Sequence, residues 1–364
     1  MKINDIITYL ESFAPLQLQE DYDNSGLITG DKNWITSSAL ICLDCTEEVV
    51  DEAIEKSCNL IIAHHPIVFS GLKSITGKNY IERTIIKAIK NNIAIYAIHT
   101  NLDNVKHGVN WTIAQKIGLL NSKILRPKTD YIKKLTFYCP ISDSQQLKEK
   151  LWQAGAGKIG NYSHCSFSSL GEGTFMGNDN SSPVLGEKNK LHKEKEEKIE
   201  MILPSYSKNK ILSTLFAEHP YEEVAYELHH LENVNQDIGS GMYGILTEPM
   251  ETNDFLKHLK EVMQTDCIRY TNIHKKYIKT VAVCGGSGSF LLDDAKAIKA
   301  DIFITADFKY HQFFDADKAI IIADIGHYES EQFTKELICG VLNKKFTKFA
   351  THLSGIITNP INYM

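Results

Sequence analysis

The strongest constraint on the fold is a set of short apolar runs, rich in Ile and Ala, that alternate with segments of helical spacing. Such runs are typical of strands that are buried on both faces of a parallel sheet. They are Ala39–Leu43, Leu60–Ala63, Ile93–Ile98, Thr280–Val283, Asp301–Ile304 and Ala319–Ala323. The segments of helical spacing are Ile3–Phe13, Thr46–Lys56, Tyr80–Asn91, Phe290–Lys299 and Glu331–Asn343. The sequence therefore predicts an α/β core built from both ends of the chain.

The middle of the chain, residues 128–246, follows a different order. Its predicted elements are a strand at Lys134–Tyr138, a helix at Asp143–Gln153, strands at Ser163–Phe175 and Lys198–Leu203, a helix at Lys208–Ala217 and a strand at Glu223–His230. This β-α-β-β-α-β order is that of the ferredoxin-like fold. We therefore expect a discontinuous α/β core, at 1–127 and 247–364, that carries an inserted α+β domain at 128–246. The charged run at 187–200 is expected to be a solvated segment.

Composition excludes several classes of protein. The net charge of −6 and the absence of a basic block argue against a nucleic-acid binder. There is no apolar run of the length that a membrane span needs, and the first residues do not have the pattern of a signal peptide. The 8 cysteines show no regular framework and are expected to be reduced thiols. We expect a cytoplasmic protein without membrane contacts.

Polar side chains with metal-binding or catalytic chemistry follow the predicted strands. Ligands of open α/β sheets bind beyond the carboxyl ends of the strands, so this placement indicates a site. The residues that follow four of the runs are Asp44, His64-His65-Pro66, His99-Thr-Asn-Leu-Asp103 and Asp324-Ile-Gly-His327.

The adjacent histidines His64 and His65 favour a pair of metal ions over a single ion. Successive side chains on an extended strand point to opposite sides, so both imidazoles cannot easily bind one ion. They can bind two ions on either side of the strand end. The alternative is one core histidine and one exposed histidine. The strand-end position and Pro66, which ends the strand, favour ligands.

Two further clusters supply carboxylates. A helical turn after Thr100 would place His99 and Asp103 on one face, and Asp103 is the predicted ligand because a carboxylate can bridge two metals. His99 is a candidate catalytic residue that orients Asp103 or moves protons, with a hydrogen-bonded core histidine as the alternative.

The third cluster, Gly326-His-Tyr-Glu-Ser-Glu331, places His327 and Glu331 four residues apart. A helix that begins here presents both side chains on one face, so both are predicted ligands. Glu329 would project elsewhere, as a solvated side chain, a helix-start acid or a substrate contact, and it is the second catalytic candidate.

The predicted metal ligands are therefore His64, His65, Asp103, His327 and Glu331. A set of histidines and carboxylates without cysteine suits Zn, Mn, Fe or Co and excludes a thiolate-rich structural zinc site. We expect two divalent ions per chain, zinc first, with open coordination positions of the catalytic kind.

Three other motifs are weaker. Cys42 and Cys45 form a CxxC, but we expect the thiols on opposite faces of a strand, in a packing role. Gly239–Gly244 matches GxGxxG, yet it precedes a strand-like segment, so no dinucleotide-binding residues are predicted. The turn Gly285–Ser289 follows a strand and precedes a helix, so its N–H groups could hold an anion.

These motifs resemble those of the Nif-three-like family. The resemblance rests on His64-His65-Pro66, His99-Thr-Asn-Leu-Asp103, Gly285-Gly-Ser-Gly288, Gly326-His-Tyr-Glu-Ser-Glu331, Asp23-Asn-Ser-Gly-Leu27 and Thr305-Ala-Asp307, although the family usually has Gly where Ala306 stands. Bacterial members are often named GTP cyclohydrolase 1 type 2 homologues. The insert is similar to that of the longer bacterial form through Gly157–Cys165 and His219-Pro-Tyr-Glu-Glu223. The resemblance implies a PII/CutA-like insert, a di-metal site with the ligands named above and a ring-shaped homohexamer.

Two functions are compatible with this resemblance. The first is a metal-dependent hydrolase that acts on a nucleotide-like or other phosphorylated small molecule, with ring opening of GTP as one version and with His99 or Glu329 moving protons. The second is a non-enzymatic, metal-responsive binding or regulatory protein whose insert serves as a sensor or lid. The fold alone does not choose between them.

Overall fold

A computed structural model of the chain describes residues 1–364. It divides into two compact units, a larger one formed by Met1–Pro127 with Asp237–Met364 and a smaller one formed by Lys128–Gln236. The smaller unit ends before the predicted boundary at 246 because the residues in between continue a long strand, Asn235–Glu251, into the larger unit. None of the helices combines the length and the apolar sequence that crossing a bilayer requires.

The first part of the larger unit alternates helices and strands, as predicted. Its helices are α1 (Ile3–Phe13), α2 (Glu47–Glu55), α3 (Tyr80–Lys90), α4 (Thr100–Asp103) and α5 (Val109–Ile117), and its strands are β1 (Gly26–Thr29), β2 (Ser38–Cys42), β3 (Leu60–Ala63), β4 (Ala94–Ala97) and β5 (Leu120–Lys128). Side chains that accept a backbone hydrogen bond cap two of the helices, Thr46 at α2 and Asn79 at α3.

The smaller unit has the β-α-β-β-α-β order that the sequence predicts. Its elements are β6 (Ile132–Pro140), α6 (Ile141–Ala154), β7 (Phe167–Phe175), β8 (His192–Pro204), α7 (Lys208–Glu218) and β9 (Tyr226–His230). The strands form an antiparallel sheet in the order β7-β8-β6-β9.

Strand β8 corrects the expectation of a solvated segment at 187–200. Most of that run is strand, because its charges are paired across the sheet and with α6, as in Lys134–Glu200 and Lys148–Glu197. Charged cross-strand pairs of this kind are compatible with a strand. The charged composition therefore hid only the first half of β8, since its second half matches the predicted strand Lys198–Leu203.

The second part of the larger unit returns to the α/β order. Its elements are β10 (Asn235–Glu251), α8 (Thr252–Val262), β11 (Arg269–Tyr270), β12 (Tyr277–Ser287), α9 (Leu292–Ala297), β13 (Ile302–Ala306), β14 (Ile321–Asp324), α10 (His327–Glu331), α11 (Thr334–Lys345) and β15 (Ala350–Leu353). The predicted helix Glu331–Asn343 corresponds to α11, and α10 is a separate short helix before it. The GxGxxG match at 239–244 lies inside strand β10, which agrees with its rejection as a dinucleotide fingerprint.

Two sheets form the larger unit. The first has the order β1-β4-β3-β2-β15, in which β4, β3, β2 and β15 are parallel and β1 is antiparallel. The second has the order β11-β14-β13-β12-β10-β5, with β14, β13 and β12 parallel. Strands β2, β3, β4, β13 and β14 are fully buried, as their Ile- and Ala-rich sequences indicate, whereas the edge strand β15 is not.

One hydrophobic core joins the two sheets of the larger unit. It includes Ile62 and Tyr96 from the first sheet and Val283 and Ile304 from the second, all with no more than 1% of their surface exposed. Burial of an apolar side chain of this size stabilises the fold by about 1.5–3 kcal/mol. The two sheets are therefore held at a fixed position relative to each other by packing.

The CxxC cysteines pack on the same side of the first sheet, and the expectation of opposite faces is wrong. Cys42 and Cys45 both belong to the cluster that α2 and α3 cover. The alternation of side chains does not reach Cys45 because strand β2 ends at Cys42. Both cysteines are buried, which agrees with the packing role that the sequence predicts.

Candidate metal centre

Strand register brings the predicted clusters to one edge of each sheet. In the first sheet Cys42 lies opposite Ala63 and Ala63 lies opposite Ala97, so the residues that follow these strands leave the sheet side by side. In the second sheet Thr305 lies opposite Asp324, which places the Asp307 turn next to helix α10. The carboxyl ends of neighbouring parallel strands therefore supply all the clusters, as the sequence predicts.

His64 lies at the bottom of the centre with none of its surface exposed. Its Nδ1 is 2.8 Å from the carbonyl oxygen of Ile98, to which it donates, so Nε2 carries the lone pair. Nε2 is 3.7 Å from Oδ1 of Asp103 and 3.8 Å from Oε2 of Glu331. Both His64 Nε2 and Asp103 Oδ1 are buried without a hydrogen-bond partner. Two acceptors that face each other in this way fit a cation between them.

Glu331 lies where the histidines converge. Its Oε2 is 2.9 Å from Nε2 of His65 and 3.1 Å from Nε2 of His327. The side chains form three groups whose ligand atoms lie within 4.8 Å of one another, namely His64 with Asp103 and Glu331, His65 with His327 and Glu331, and His64 with His65 and His99. Glu331 belongs to two of these groups. All five predicted ligands are therefore close together.

Each of the four histidines is held through its Nδ1. Besides the His64 contact with a carbonyl, the Nδ1 atoms of the other three bind a carboxylate at 2.7 Å, as His65 to Asp44, His99 to Asp23 and His327 to Asp307. A carboxylate or carbonyl on one ring nitrogen fixes the tautomer and the orientation of the ring, and it leaves the other nitrogen for a metal. This pattern is typical of histidines that bind metals.

Charges at the centre are balanced by the histidines in this structure. Burial alone would raise the pKa of Glu331, but His327 lowers it well below its usual value. Burial alone would lower the pKa of His65, but Asp44 and Glu331 raise it to about 9. The pKa of Asp103 is raised to about 7, first by burial and then by repulsion from Glu331. Because two buried carboxylates repel each other here, a cation would stabilise both of them.

The glycine turn Gly285–Ser289, which begins within the last residues of β12, makes room for the centre. Gly286 has φ +60°, and a Cβ there would lie 2.5 Å from Oε1 of Glu331. The N–H groups of Gly285 and Gly286 already donate to Asn110 and Ser330, so they are not available to the anion that the sequence suggests. The turn instead fixes the surroundings of Glu331.

Comparisons with known proteins identify the family of this chain. The family model Duf34/NIF3 (NGG1p interacting factor 3) matches residues 1–360. The chain belongs to the Duf34/NIF3 family. Relatives named GTP cyclohydrolase 1 type 2 homolog come from Halalkalibacterium halodurans, 38% identical over 99% of this chain and 98% of the relative, and from Bacillus subtilis, 36% identical with the same coverage. The resemblance found in the sequence is thereby confirmed.

Solved structures show the same fold. A Bacillus cereus protein related to NIF3 is 37% identical with a TM-score of 0.88, and it covers 100% of this chain and 99% of its own. Staphylococcus aureus protein SA1388 is 31% identical with a TM-score of 0.79 and the same coverage. The α/β architecture of this Duf34/NIF3 protein is thus shared over its whole length.

The two catalytic candidates occupy different surroundings in this Duf34/NIF3 protein. The ring of His99 lies 5.3 Å from that of His64 and 5.2 Å from that of His65, so it faces the centre. Its Nδ1 is bound to Asp23 and not to Asp103. No hydrogen bond therefore supports the expectation that His99 orients Asp103. Glu329 is buried and accepts a hydrogen bond from Asn359, 2.9 Å away, so the expectation of a solvated side chain is wrong.

The sequence did not reveal which carboxylates of this family member bind Nδ1 of His65, His99 and His327. Asp44 and Asp307 were visible as acids at strand ends, and Asp23 stands in the Asp23-Asn-Ser-Gly-Leu27 motif. Their pairing with particular histidines depends on which strands are neighbours, which the sequence pattern does not specify.

Proposed function

We propose that this Duf34/NIF3 protein binds two divalent metal ions, one through His64, Asp103 and Glu331 and the other through His65, His327 and Glu331. The observation that carries the proposal is the pair of buried acceptors, His64 Nε2 and Asp103 Oδ1, that lie 3.7 Å apart without a hydrogen-bond partner. The donor set of nitrogen and oxygen favours zinc, with Mn, Fe or Co as alternatives.

The proposed activity is hydrolysis of a nucleotide-like small molecule. Bound divalent ions would supply Lewis acidity and lower the pKa of a water toward about 7. His99 faces the same centre through a ring fixed by Asp23, which suits it to take or give a proton. The relatives named GTP cyclohydrolase 1 type 2 homolog support a purine nucleotide as the first substrate to test.

Aromatic side chains beside His99 support a planar ligand. Phe69 lies 6.2 Å from His99 and 6.2 Å from Tyr22, measured between ring centroids. Both Phe69 and Tyr22 are exposed, although burial of large aromatic rings is favourable. A nucleobase could stack on this exposed pair.

The test is turnover of the zinc-loaded protein against a panel of nucleoside triphosphates. We expect turnover that Asp103→Asn abolishes and that Asp51→Asn, a half-exposed aspartate that pairs with Lys87 instead, leaves unchanged. Equal turnover in the Asp103 variant would place the activity elsewhere or in a contaminant. Absence of turnover with two ions bound would favour the alternative below.

The alternative is a metal-responsive binding or regulatory protein in which the smaller unit senses an effector. It is supported by the completeness of that unit, which has its own core of residues such as Phe137, Leu151 and Ile211 and contributes none of the candidate ligands. In both versions we propose a PII/CutA-like character for this unit and a homohexameric assembly. Sedimentation of the purified protein would test the assembly.

A further inference from the structure

The last segment of the sequence, residues 354–364, follows strand β15 without regular secondary structure. We refer to it as the strap. It begins on helix α2, where the N–H of Gly355 donates to Oε1 of Glu52 at 2.9 Å and the hydroxyl of Ser354 donates to Oε2 of the same carboxylate. Ile356 then packs on the hydrophobic cluster beneath α2 and α3. The first residues of the strap are therefore fixed to the sheet that carries His64 and His65.

The strap next reaches the carboxylate behind His65. The hydroxyl of Thr358 donates to Oδ2 of Asp44 at 2.6 Å, while Oδ1 of Asp44 accepts from Nδ1 of His65 at 2.7 Å. Both oxygens of Asp44 thus have a partner, and one of them is supplied by the strap. A carboxylate fixed on both oxygens can hold an imidazole ring in a single orientation.

A second contact ties the strap to helix α10. Asn359 donates to Oε1 of Glu329 at 2.9 Å, and the hydroxyl of Tyr363 also bonds Glu329. Glu329 lies between His327 and Glu331 on that helix. The strap therefore bonds Asp44, which holds the His65 ring, and helix α10, which carries His327 and Glu331.

In the other group, His64 and Asp103 lie outside helix α10 and have no such link. Nδ1 of His64 is held by the carbonyl of Ile98, and Nδ2 of Asn110 donates to the carbonyl oxygen of Asp103 at 3.1 Å. Neither contact involves residues 354–364. The two groups share Glu331 on α10, but only His65, through Asp44, is linked to the strap from outside that helix.

We infer that Thr358 is a positioning residue for the metal ion held by His65, His327 and Glu331, and that it acts through Asp44. This inference rests on the proposed function, since it assigns unequal support to the two proposed ions. Loss of the hydroxyl would leave Oδ2 of Asp44 without its partner and allow the His65 ring to turn. Loss of a partner behind a metal-bound histidine typically weakens metal binding about 10–100-fold.

The experiment is a zinc titration of the full chain in competition with a chromophoric chelator, repeated with cobalt to record the absorption spectrum of the bound ion. Thr358→Val keeps the shape of the side chain and removes the hydroxyl, and Thr358→Ser keeps the hydroxyl. We expect Thr358→Val to weaken one of two binding steps by about tenfold or more and to change the cobalt spectrum of that step alone. Thr358→Ser should have the affinity and the cobalt spectrum of the wild-type chain.

Thr351→Val is the matched control, because Thr351 donates to Asn343 on helix α11 and not to the centre. Two unchanged binding steps in Thr358→Val, or equal weakening of both steps, would overturn the role of Thr358 while the metal centre stands. A wild-type chain that binds no zinc or cobalt would overturn the proposed function, and the inference would fall with it.

Discussion

Two buried histidines, one in each unit, have opposite hydrogen-bonding states. In the smaller unit Nε2 of His219 donates to the carbonyl of Tyr138 at 2.8 Å, and Nδ1 accepts from the N–H of Tyr221 at 3.1 Å. In the larger unit only Nδ1 of His64 has a partner, and Nε2 faces Asp103 and Glu331. Both rings are buried, so burial does not distinguish them.

The difference separates a structural histidine from a candidate ligand. Burial lowers the pKa of His219, which favours the neutral ring that its two hydrogen bonds require. An imidazole nitrogen left unpaired in the interior costs free energy unless something binds it. The polar atoms of His219 are thus both paired within the smaller unit, whereas His64 Nε2 in the larger unit has no partner and could bind a cation.

The largest expected effect on metal binding is that of substituting Glu331, which belongs to both candidate metal groups. Glu331→Gln should weaken zinc binding at both sites by more than the ~100-fold that loss of an outer partner costs. Elemental analysis after gel filtration measures the stoichiometry. Glu329→Gln is the control, since Glu329 bonds Asn359 and not the histidines. If the control loses both ions and Glu331→Gln keeps them, the assignment of ligands is wrong.

Chelation should destabilise the larger unit alone. Each zinc ion, at about 100 times its dissociation constant, would add about 2.7 kcal/mol to the free energy of unfolding. For a unit of this size that corresponds to roughly 5–10 °C in Tm. Hydrogen exchange with and without chelator should change in β3, β4 and α10 and stay the same in β6 and β8. An equal change of hydrogen exchange in both units would contradict the prediction that chelation destabilises the larger unit alone.

A smaller effect, on the free energy of unfolding, is expected from substitution of His219. His219→Gln leaves at least one buried partner unpaired, so the free energy of unfolding should fall by about 1–3 kcal/mol in urea titrations. The number of ions bound should stay at two. His64→Gln, studied in parallel, should also release the Ile98 carbonyl but should lose an ion as well. Metal loss in the His219 variant would show that this histidine is not purely structural.

The smallest effect on metal binding is expected from removing the smaller unit. Replacement of residues 128–236 by a short linker should leave two ions bound, because all candidate ligands lie outside this range. Circular dichroism establishes that the shortened chain is folded, and zinc competition measures its affinity. A folded variant that binds no zinc would contradict the division of roles between the units.

Sequence patterns predicted the features that depend on local order. The buried strands and the polar residues at their ends were visible, and the side chains of His64, His65, Asp103, His327 and Glu331 do converge. Helix α10 has the four-residue spacing of His327 and Glu331 on one turn, as predicted. Spacing of this kind is set within a few residues, so the sequence contains it.

Features that depend on distant neighbours could not be predicted. The pairing of His65 with Asp44 requires β2 beside β3, and that of His327 with Asp307 requires β13 beside β14. The end of β2 at Cys42 placed both cysteines on one side, against the alternation expected of a longer strand. Composition also hid the first half of β8, ahead of the predicted strand Lys198–Leu203, because its charges find partners only once the sheet has formed.

The hydrogen bond between His65 and Glu331 spans 266 residues of sequence. A ribosome adds about 5–20 residues per second, so His64 and His65 leave it roughly 13–53 s before Glu331 does. Strand β15, which completes the sheet beside β2, is made later still. During that interval the nascent chain carries two adjacent histidines without the shared carboxylate, and any ion that it captures is held weakly. On the proposed function, selection of the metal would therefore be left to the finished chain, after synthesis rather than during it.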